Sequence, residues 1–383
     1  MKVLWVDTTS HLGGAQHSLF DFCTFLKNFG IEIIAAVPYG PLYDKLVKAD
    51  LTVYPVSPKH AAERGWNFFK QKPNLLTQAN TVPQIIRNVQ PDIIHANNLA
   101  AFQTVQHAST KIPCIWHVRN LNFTGAIARQ TSHKAAHMIT LSELIDEYLV
   151  NTLSPSVLSR LRLMPDGINL KLYENMHKQT SRAQFNLPPT APIVGMLAHL
   201  KPEKHHDVFI ETAMLIHRSH PEVHFVMVGR DLLGKNPRAS LSLAEMIQQA
   251  ELTSCFHWLT TCDTAAAILP AFDIFIHPAR HELDGRALCE AMAAGLPVIA
   301  VNSSTCDALI KHNATGILVS EGSAQQLAEQ ARELLNNPEH AKCLGAAGQE
   351  HIRKNLTLAT TCAQLIKVYQ TLLKARANPV EED

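Results

Sequence analysis

The segment DIFIHPARHELDGRALCEAMAAGLPVIAV, residues 273–301, decides how this chain folds. Asp273 to His277 is a short apolar run of strand type, and PARHELD after it reads as loop. Gly285 then releases the backbone before Ala287, Leu288, Ala291 and Met292, which are apolar at helical spacing; Gly295 closes the helix and Pro297 opens the next strand. A β-loop-α-β unit of this kind folds back through a right-handed crossover, which leaves the loop at the strand's carboxyl end with the helix N-terminus beside it. Glu282 therefore falls on the loop and Glu290 about one turn inside the helix. One acid would serve the helix dipole. Two acids fit an arrangement in which backbone N–H groups near Gly285 grip an anion such as a phosphate while the carboxylates accept hydrogen bonds from sugar hydroxyls. A helix-terminal charge plus a surface glutamate is the plainer alternative, and spacing alone does not separate the two.

The same rhythm runs outward in both directions. Apolar runs KVLWV (2–6), EIIAAV (32–37), LTVYPV (51–56), DIIHA (92–96), PCIWHV (113–118), HMITL (137–141) and RLM (162–164) alternate with helix-period text, as parallel strands buried on both faces do. Residues 174–192 are polar and proline-containing, without periodicity. IVGML (193–197), HFVMV (224–228), FHWL (256–259), PVIAV (297–301) and GILV (316–319) then resume the pattern. The expected fold class is α/β, with two doubly wound Rossmann-like domains, over 1–175 and 192–355, that face each other across a cleft. A linker is expected at 176–191, a C-terminal helix at 356–378 and an acidic tail at 379–383. Ligands of such sheets sit at the carboxyl ends of the strands.

The 383 residues are 46% hydrophobic and 17% charged, and no apolar run nears the roughly 18 residues of a membrane-spanning helix. MKVLWVDTTS is too short in its apolar part for an export signal, so the expected location is cytoplasmic. Eight cysteines lie scattered without C-x-x-C pairs, which speaks against a disulfide frame or zinc site. Net charge is +1, yet residues 1–180 hold 17 basic against 12 acidic groups, a bias that would suit anionic lipid or a phosphorylated substrate, as would ordinary surface variation.

The 277–300 stretch, with its G-R after the loop and EAMAAGLPV beyond, resembles the Glu-x7-Glu signature of family 4 glycosyltransferases, retaining enzymes of GT-B fold that use nucleotide-sugar donors. The resemblance covers most of the chain and is strongest over 192–320. It implies that Glu282 lies by the donor sugar and Glu290 on the ribose hydroxyls, with Leu283, Asp284, Gly285 and Arg286 lining the donor site. VGMLAHLKPEKHHD (194–207) resembles the family's diphosphate-binding turn: Lys204 takes the lysine position, while His199 stands where Arg is usual and His205 where Gly is usual. An imidazole grips phosphate less well than a guanidinium. A solvated lysine at a helix start is the plainer reading of Lys204.

Gly229 and Arg230, after the strand ending at Val228, become donor-site candidates. Gly13 and Gly14 match a family loop near phosphate and acceptor, although a tight turn would account for them as well. In WHVRN (116–120), His117 resembles the histidine near the reacting sugar, and Arg119 is placed to meet an acceptor phosphate; His95 has a similar strand-end position. The expected catalytic set is His117, Glu282 and Lys204. The resemblance also implies that the last helix returns to the first domain.

No D-x-D pair occurs, and the 21 histidines form no H-E-x-x-H, so neither metal nor other cofactor is expected. GRDLLGKN (229–236) misses the phosphate-loop pattern at Asn236. ERGWNFFKQK (63–72) mixes basic and aromatic residues, which suits peripheral contact with an anionic membrane or packing against the sheet. The expected activity is transfer of a sugar from a nucleotide-sugar donor to a glycan or lipid-linked acceptor, with no nucleic acid partner. A sugar-nucleotide epimerase, a two-lobed sugar-binding protein or a catalytically weak relative are the alternatives.

Overall fold

The computed structural model describes residues 1–57, 81–108, 110–231, 237–260, 262, 264–320 and 323–377, with backbone alone at 237–239. It divides into two units, Met1–Gly167 with the chain from Leu358 onward, and Ile168–Thr357. The basic-aromatic stretch 63–72, the acidic tail 379–383 and residues 232–236 of the phosphate-loop near-match lie outside the described residues. Among the described residues no helix is long and apolar enough to cross a membrane.

Unit 1 is built on seven parallel strands, β1 (Lys2–Val6), β2 (Glu32–Val37), β3 (Thr52–Pro55), β4 (Ile93–Ala96), β5 (Cys114–Val118), β6 (His137–Thr140) and β7 (Leu161–Leu163), in the order β3-β2-β1-β4-β5-β6-β7. β1, β4 and β5 are buried along almost their whole length, which is why they read as unbroken apolar runs. Register sets Trp5 opposite His95, and His95 opposite Ile115. Since alternate residues share a face, Trp5, His95 and His117 line one side of the sheet. Two helices cover that side, Gly14–Lys27 and the C-terminal Leu358–Ala377. The latter buries Leu358, Cys362, Leu365 and Tyr369, one stripe at helical spacing.

Unit 2 carries β8 (Ile193–Leu197), β9 (His224–Val228), β10 (Phe256–Leu259), β11 (Ile274–His277), β12 (Val298–Val301) and β13 (Ile317–Val319), all parallel, in the order β10-β9-β8-β11-β12-β13. Successive strands run outward from β8 on one side and from β11 on the other. The crevice at the carboxyl ends of β8 and β11 is thus the topological switch point of this sheet. Separate apolar clusters cover its two faces.

The expected linker at 176–191 needs correction. It holds the helix Lys178–Gln184, and Arg182 within it is 2% exposed. The Arg182 guanidinium donates to the carbonyls of Ala271 (2.9 Å), Pro188 (3.2 Å) and Pro189 (2.9 Å) and to Asp273 Oδ2 (2.8 Å). Asp273 Oδ2 also accepts the Ile193 N–H at 2.7 Å, and Lys178 pairs with the other oxygen. The segment is therefore part of unit 2, which begins at Ile168 rather than near 192. Hydrogen bonds from Arg182 and Ser181, with Leu187 and Phe185 as isolated apolar anchors rather than a periodic stripe, hold it, so hydrophobic periodicity could not reveal it.

Breaking this clasp should be costly, because the carbonyls and Asp273 would lose their partner together. Arg182→Ala should destabilise unit 2 by about 3–5 kcal/mol, read as a lower urea midpoint at unchanged m-value, and Arg182→Lys should recover only part of it because an ammonium lacks the fork. A loss below about 1 kcal/mol would assign the clasp to the surface-pair class. Gly229 offers a second check: its φ is +156°, and a Cβ there would lie 1.8 Å from the Ala198 carbonyl oxygen. Gly229→Ala should cost about 2 kcal/mol or more in the same titration.

Candidate active site

At the switch point of unit 2, β8 runs into the single turn Pro202–Lys204 and β11 into the loop that ends at Gly285. Gly285 has φ 60°, a left-handed turn that starts the helix Arg286–Ala293, and a Cβ there would come within 2.3 Å of Leu309. Glycine is needed at this point. Asp284 Oδ1 accepts the Arg286 N–H at 3.2 Å, which orders the first turn.

Glu282 lies at 4% exposure. Its Oε2 accepts from Lys204 Nζ at 2.7 Å, its Oε1 accepts the Leu283 N–H at 3.0 Å, and its own carbonyl accepts from Thr305. His277 Nε2 is also 2.7 Å from Oε2, at ion-pair distance. Burial by itself would raise the Glu282 pKa; His277 and Lys204 outweigh it and hold the carboxyl well below the usual range. Lys204 shows the mirror case. Burial pulls its ammonium down, and Glu282 more than restores it, to above the ordinary lysine value. Glu290 bonds Arg286 Nε at 2.9 Å across one helical turn, with both side chains 12% exposed. Each acid thus holds a cation at the same end of the sheet.

Gly229 and Arg230 stay within reach of this end through hydrogen bonds to their carbonyls, from Leu200 N–H to Arg230 and from the Trp258 indole Nε1–H to Gly229, at 3.1 and 3.0 Å. His199, five residues before Lys204 on the chain, is half-buried. His205 has φ 52°, a conformation glycine takes without steric cost and a histidine does not. A groove of about 590 Å³, lined by His312, Glu329 and Glu333 among others, lies by the edge strand β13 and includes none of these residues.

Unit 1 has its own polar centre at the carboxyl ends of β1, β4 and β5. Asp7, fully buried, accepts from Asn97 Nδ2 (2.6 Å), Asn98 Nδ2 (2.9 Å), Gln16 Nε2 (3.0 Å) and the Thr9 N–H (2.8 Å). Arg119 donates to Asn97 Oδ1 at 3.1 Å, pairs with Asp166, and approaches His117 Nδ1 at 3.3 Å. His117 Nδ1 is also 3.1 Å from His95 Nε2, and His95 Nδ1 is 2.8 Å from the Tyr369 hydroxyl. Both rings are held well below the ordinary imidazole value, first by burial, then for His95 by His117 and Arg119 and for His117 by Arg119. Gly13 caps the helix Gly14–Lys27 at φ −113°, an extended conformation open to any residue, and its N–H donates to Gln16 Oε1 at 3.1 Å.

Two groups of predicted residues are therefore assembled: Lys204, Glu282, Asp284, Gly285, Arg286 and Glu290 in unit 2, and His117, Arg119 and His95 in unit 1. Sequence reading did not reach His277, Asp7, Asn97, Asp166 or Tyr369. For Asp7 and Asn97 a signal was present, since both follow a strand end directly.

Comparison with known proteins gives two consecutive family matches, "Glycosyltransferase Family 4" over residues 12–172 and "Glycosyl transferases group 1" over 177–351. The chain is 22% identical over 288 residues to the D-inositol 3-phosphate glycosyltransferase of Segniliparus rotundus, covering 74% of this chain and 62% of that protein. The match to the same-named protein of Thermobispora bispora takes in 51% of its length, so the chain spans between half and two thirds of these relatives. A GDP-mannose-dependent monoacylated alpha-(1-6)-phosphatidylinositol monomannoside mannosyltransferase of Corynebacterium glutamicum is 22% identical over 387 residues, 95% of this chain and 96% of that one. Anabaena HepE, solved with UDP-glucose, superposes with a TM-score of 0.81 at 19% identity, over 97% of this chain and all of that one. Its likeness shows a shared fold, the two Rossmann-like α/β domains of GT-B glycosyltransferases. With one family model matched on each half and a strand order to suit both, the chain belongs to the family 4 glycosyltransferases.

Proposed function

We propose that this chain is a retaining, metal-independent glycosyltransferase that moves a sugar from a nucleotide-sugar donor to a glycan or lipid-linked acceptor, in cell-surface polysaccharide or glycolipid synthesis. The observation that carries the reading is the pair of cations, Lys204 and Arg286, each held by a carboxylate where β11 meets the helix Arg286–Ala293. A departing nucleoside diphosphate needs about two charges neutralised. Lys204, Arg286 and the first-turn N–H groups of that helix supply them without a metal. Glu282 keeps Lys204 charged and fixed, and it meets the donor sugar from the same place. Glu290, one turn along, accepts from the ribose hydroxyls.

Unit 2 then holds the donor and unit 1 the acceptor, with His117 at the reacting sugar and Arg119 at an acceptor phosphate. The names of the Segniliparus and Corynebacterium relatives, which specify inositol phosphate and phosphatidylinositol mannoside substrates, agree with a phosphorylated or lipid-linked acceptor. In the proposed step the bond from the anomeric carbon to the diphosphate breaks with its electron pair passing to the phosphate oxygen. The acceptor oxygen bonds to the same face, and its proton passes to the departing phosphate. No covalent nucleophile is required. Work at a cytoplasmic membrane face, through contact with anionic lipid, completes the proposal.

A panel of nucleotide sugars should separate this reading from a pure binding role. One donor at a hundred times its Kd should stabilise the fold by about 2.7 kcal/mol and release free nucleotide when acceptor is added. Glu290→Ala and Lys204→Ala should each weaken donor binding by about 1.5–3 kcal/mol, roughly ten- to a hundredfold. Conversion of the donor with no acceptor present would point to an epimerase instead.

Turnover should persist in excess chelator, and strict dependence on added manganese or magnesium would defeat the metal-free account. The ion pair also predicts a flat region in pH. The depressed Glu282 pKa keeps its contribution in place above the ordinary carboxylate value of 4.5 and loses it only as pH falls through the lower folded value. Lys204 keeps its own below 10.5 and loses it only as pH rises past its raised value. Donor affinity should therefore hold steady from about pH 5 to 10 as far as this pair is concerned, and binding that collapses inside that range would show that another group governs it.

A further inference from the structure

In the centre of unit 1, the hydrogen bonds admit one arrangement of protons for neutral rings. Arg119 Nη2 can only donate, so His117 Nδ1, 3.3 Å away, accepts. His95 Nε2, 3.1 Å from that same Nδ1, must then carry a hydrogen and donate it. That leaves His95 Nδ1 bare, ready to accept from the Tyr369 hydroxyl at 2.8 Å. Trp5 lies flat on the His95 ring, with centroids 3.7 Å apart and planes 9° from parallel, and fixes the plane in which these bonds are made. Burial and the Arg119 charge both oppose a second proton on either ring.

We infer that Tyr369 and His95 are positioning residues that act through His117: together with Arg119 they fix its proton on Nε2, so that the ring offers a hydrogen-bond donor on the side of Asp166 and an acceptor on the side of His95. Nε2 of His117 lies 4.0 Å from Asp166 Oδ1, and neither atom has a hydrogen-bond partner among the described residues. At that separation the two do not bond each other directly, and both are buried. This deepens the proposed function and rests on its assignment of His117 to the reacting sugar. The relay runs from a helix at the C-terminal end of the chain, through a strand interior, to the proposed chemistry.

The test uses the full-length protein labelled with ¹⁵N in histidine. Long-range ¹H–¹⁵N spectra distinguish the two neutral tautomers from each other and from the imidazolium, and the His95→Gln and His117→Gln variants assign the two rings. Unaltered protein at neutral pH should show both rings protonated at Nε2 alone. A His117 ring protonated at Nδ1, or at both nitrogens, would overturn the relay without recourse to any variant. In His95→Leu, which removes the donor, the His117 pattern should shift toward a mixture. In His95→Gln, whose amide can donate to His117 and accept from Tyr369, the pattern should return. An unchanged His117 spectrum in His95→Leu also refutes the relay, and Tyr369→Phe, which alters only one hydroxyl, gives the same reading on His95 should His95→Leu fail to fold.

Turnover tests the other half. At saturating donor, kcat should fall about ten- to a hundredfold in His95→Leu, with less change in KM, and recover in His95→Gln. A spectrum that shifts while turnover holds keeps the relay and removes His117 from the reaction, so failure of the functional reading is visible separately.

Discussion

Parallel pairing of β8 with both β9 and β11 is the constraint from which the donor end of this protein follows. Two neighbouring parallel strands whose connections leave in opposite directions cannot have their following loops stacked over each other, so a crevice opens between them. Into that crevice the chain delivers the turn Pro202–Lys204 from one side and the loop 278–285 from the other. Lys204 and Glu282 come from positions 78 residues apart and meet at 2.7 Å. Their charges sustain each other: isolated, either would be driven toward its neutral form by burial, and together both stay ionised. Gly285 and Gly229 serve the same geometry by letting backbone approach where a Cβ would collide.

The architecture was legible because its signal is local. Strands buried on two faces must be apolar throughout, and the runs at 2–6, 93–96, 224–228 and 298–301 show that directly. The helix Lys178–Gln184 was illegible for the opposite reason. Its attachment runs through Arg182 to Asp273, 91 residues away, and to carbonyls that any sequence possesses. Nothing in residues 174–192 distinguishes such a clasp from solvated loop.

The site divides along the same line. Glu282 and Glu290 announce themselves by spacing around a glycine, since loop and helix start are adjacent in sequence. The groups that tune them are not. His277 reads as the end of a strand, and only coordinates place its ring against Glu282. In unit 1, Asp7 gathers donors from Gln16, Asn97 and Asn98, and the last named is 91 positions away. The contact between His95 and Tyr369 spans 274 positions. Pattern analysis reaches residues that recur at fixed intervals, whereas a buried polar network is a set of single residues brought together by topology.

The helix Leu358–Ala377 completes the hydrophobic face of a sheet whose first strand is at Lys2–Val6. During synthesis, unit 2 is contiguous and emerges whole before that helix exists. The older N-terminal sheet, with Trp5, Phe22 and Ile115 on the side that helix covers, can be completed only after unit 2 has been made. Vectorial synthesis therefore reverses the order of the two halves: the part made second can be finished first, and the part made first waits for the helix that closes it.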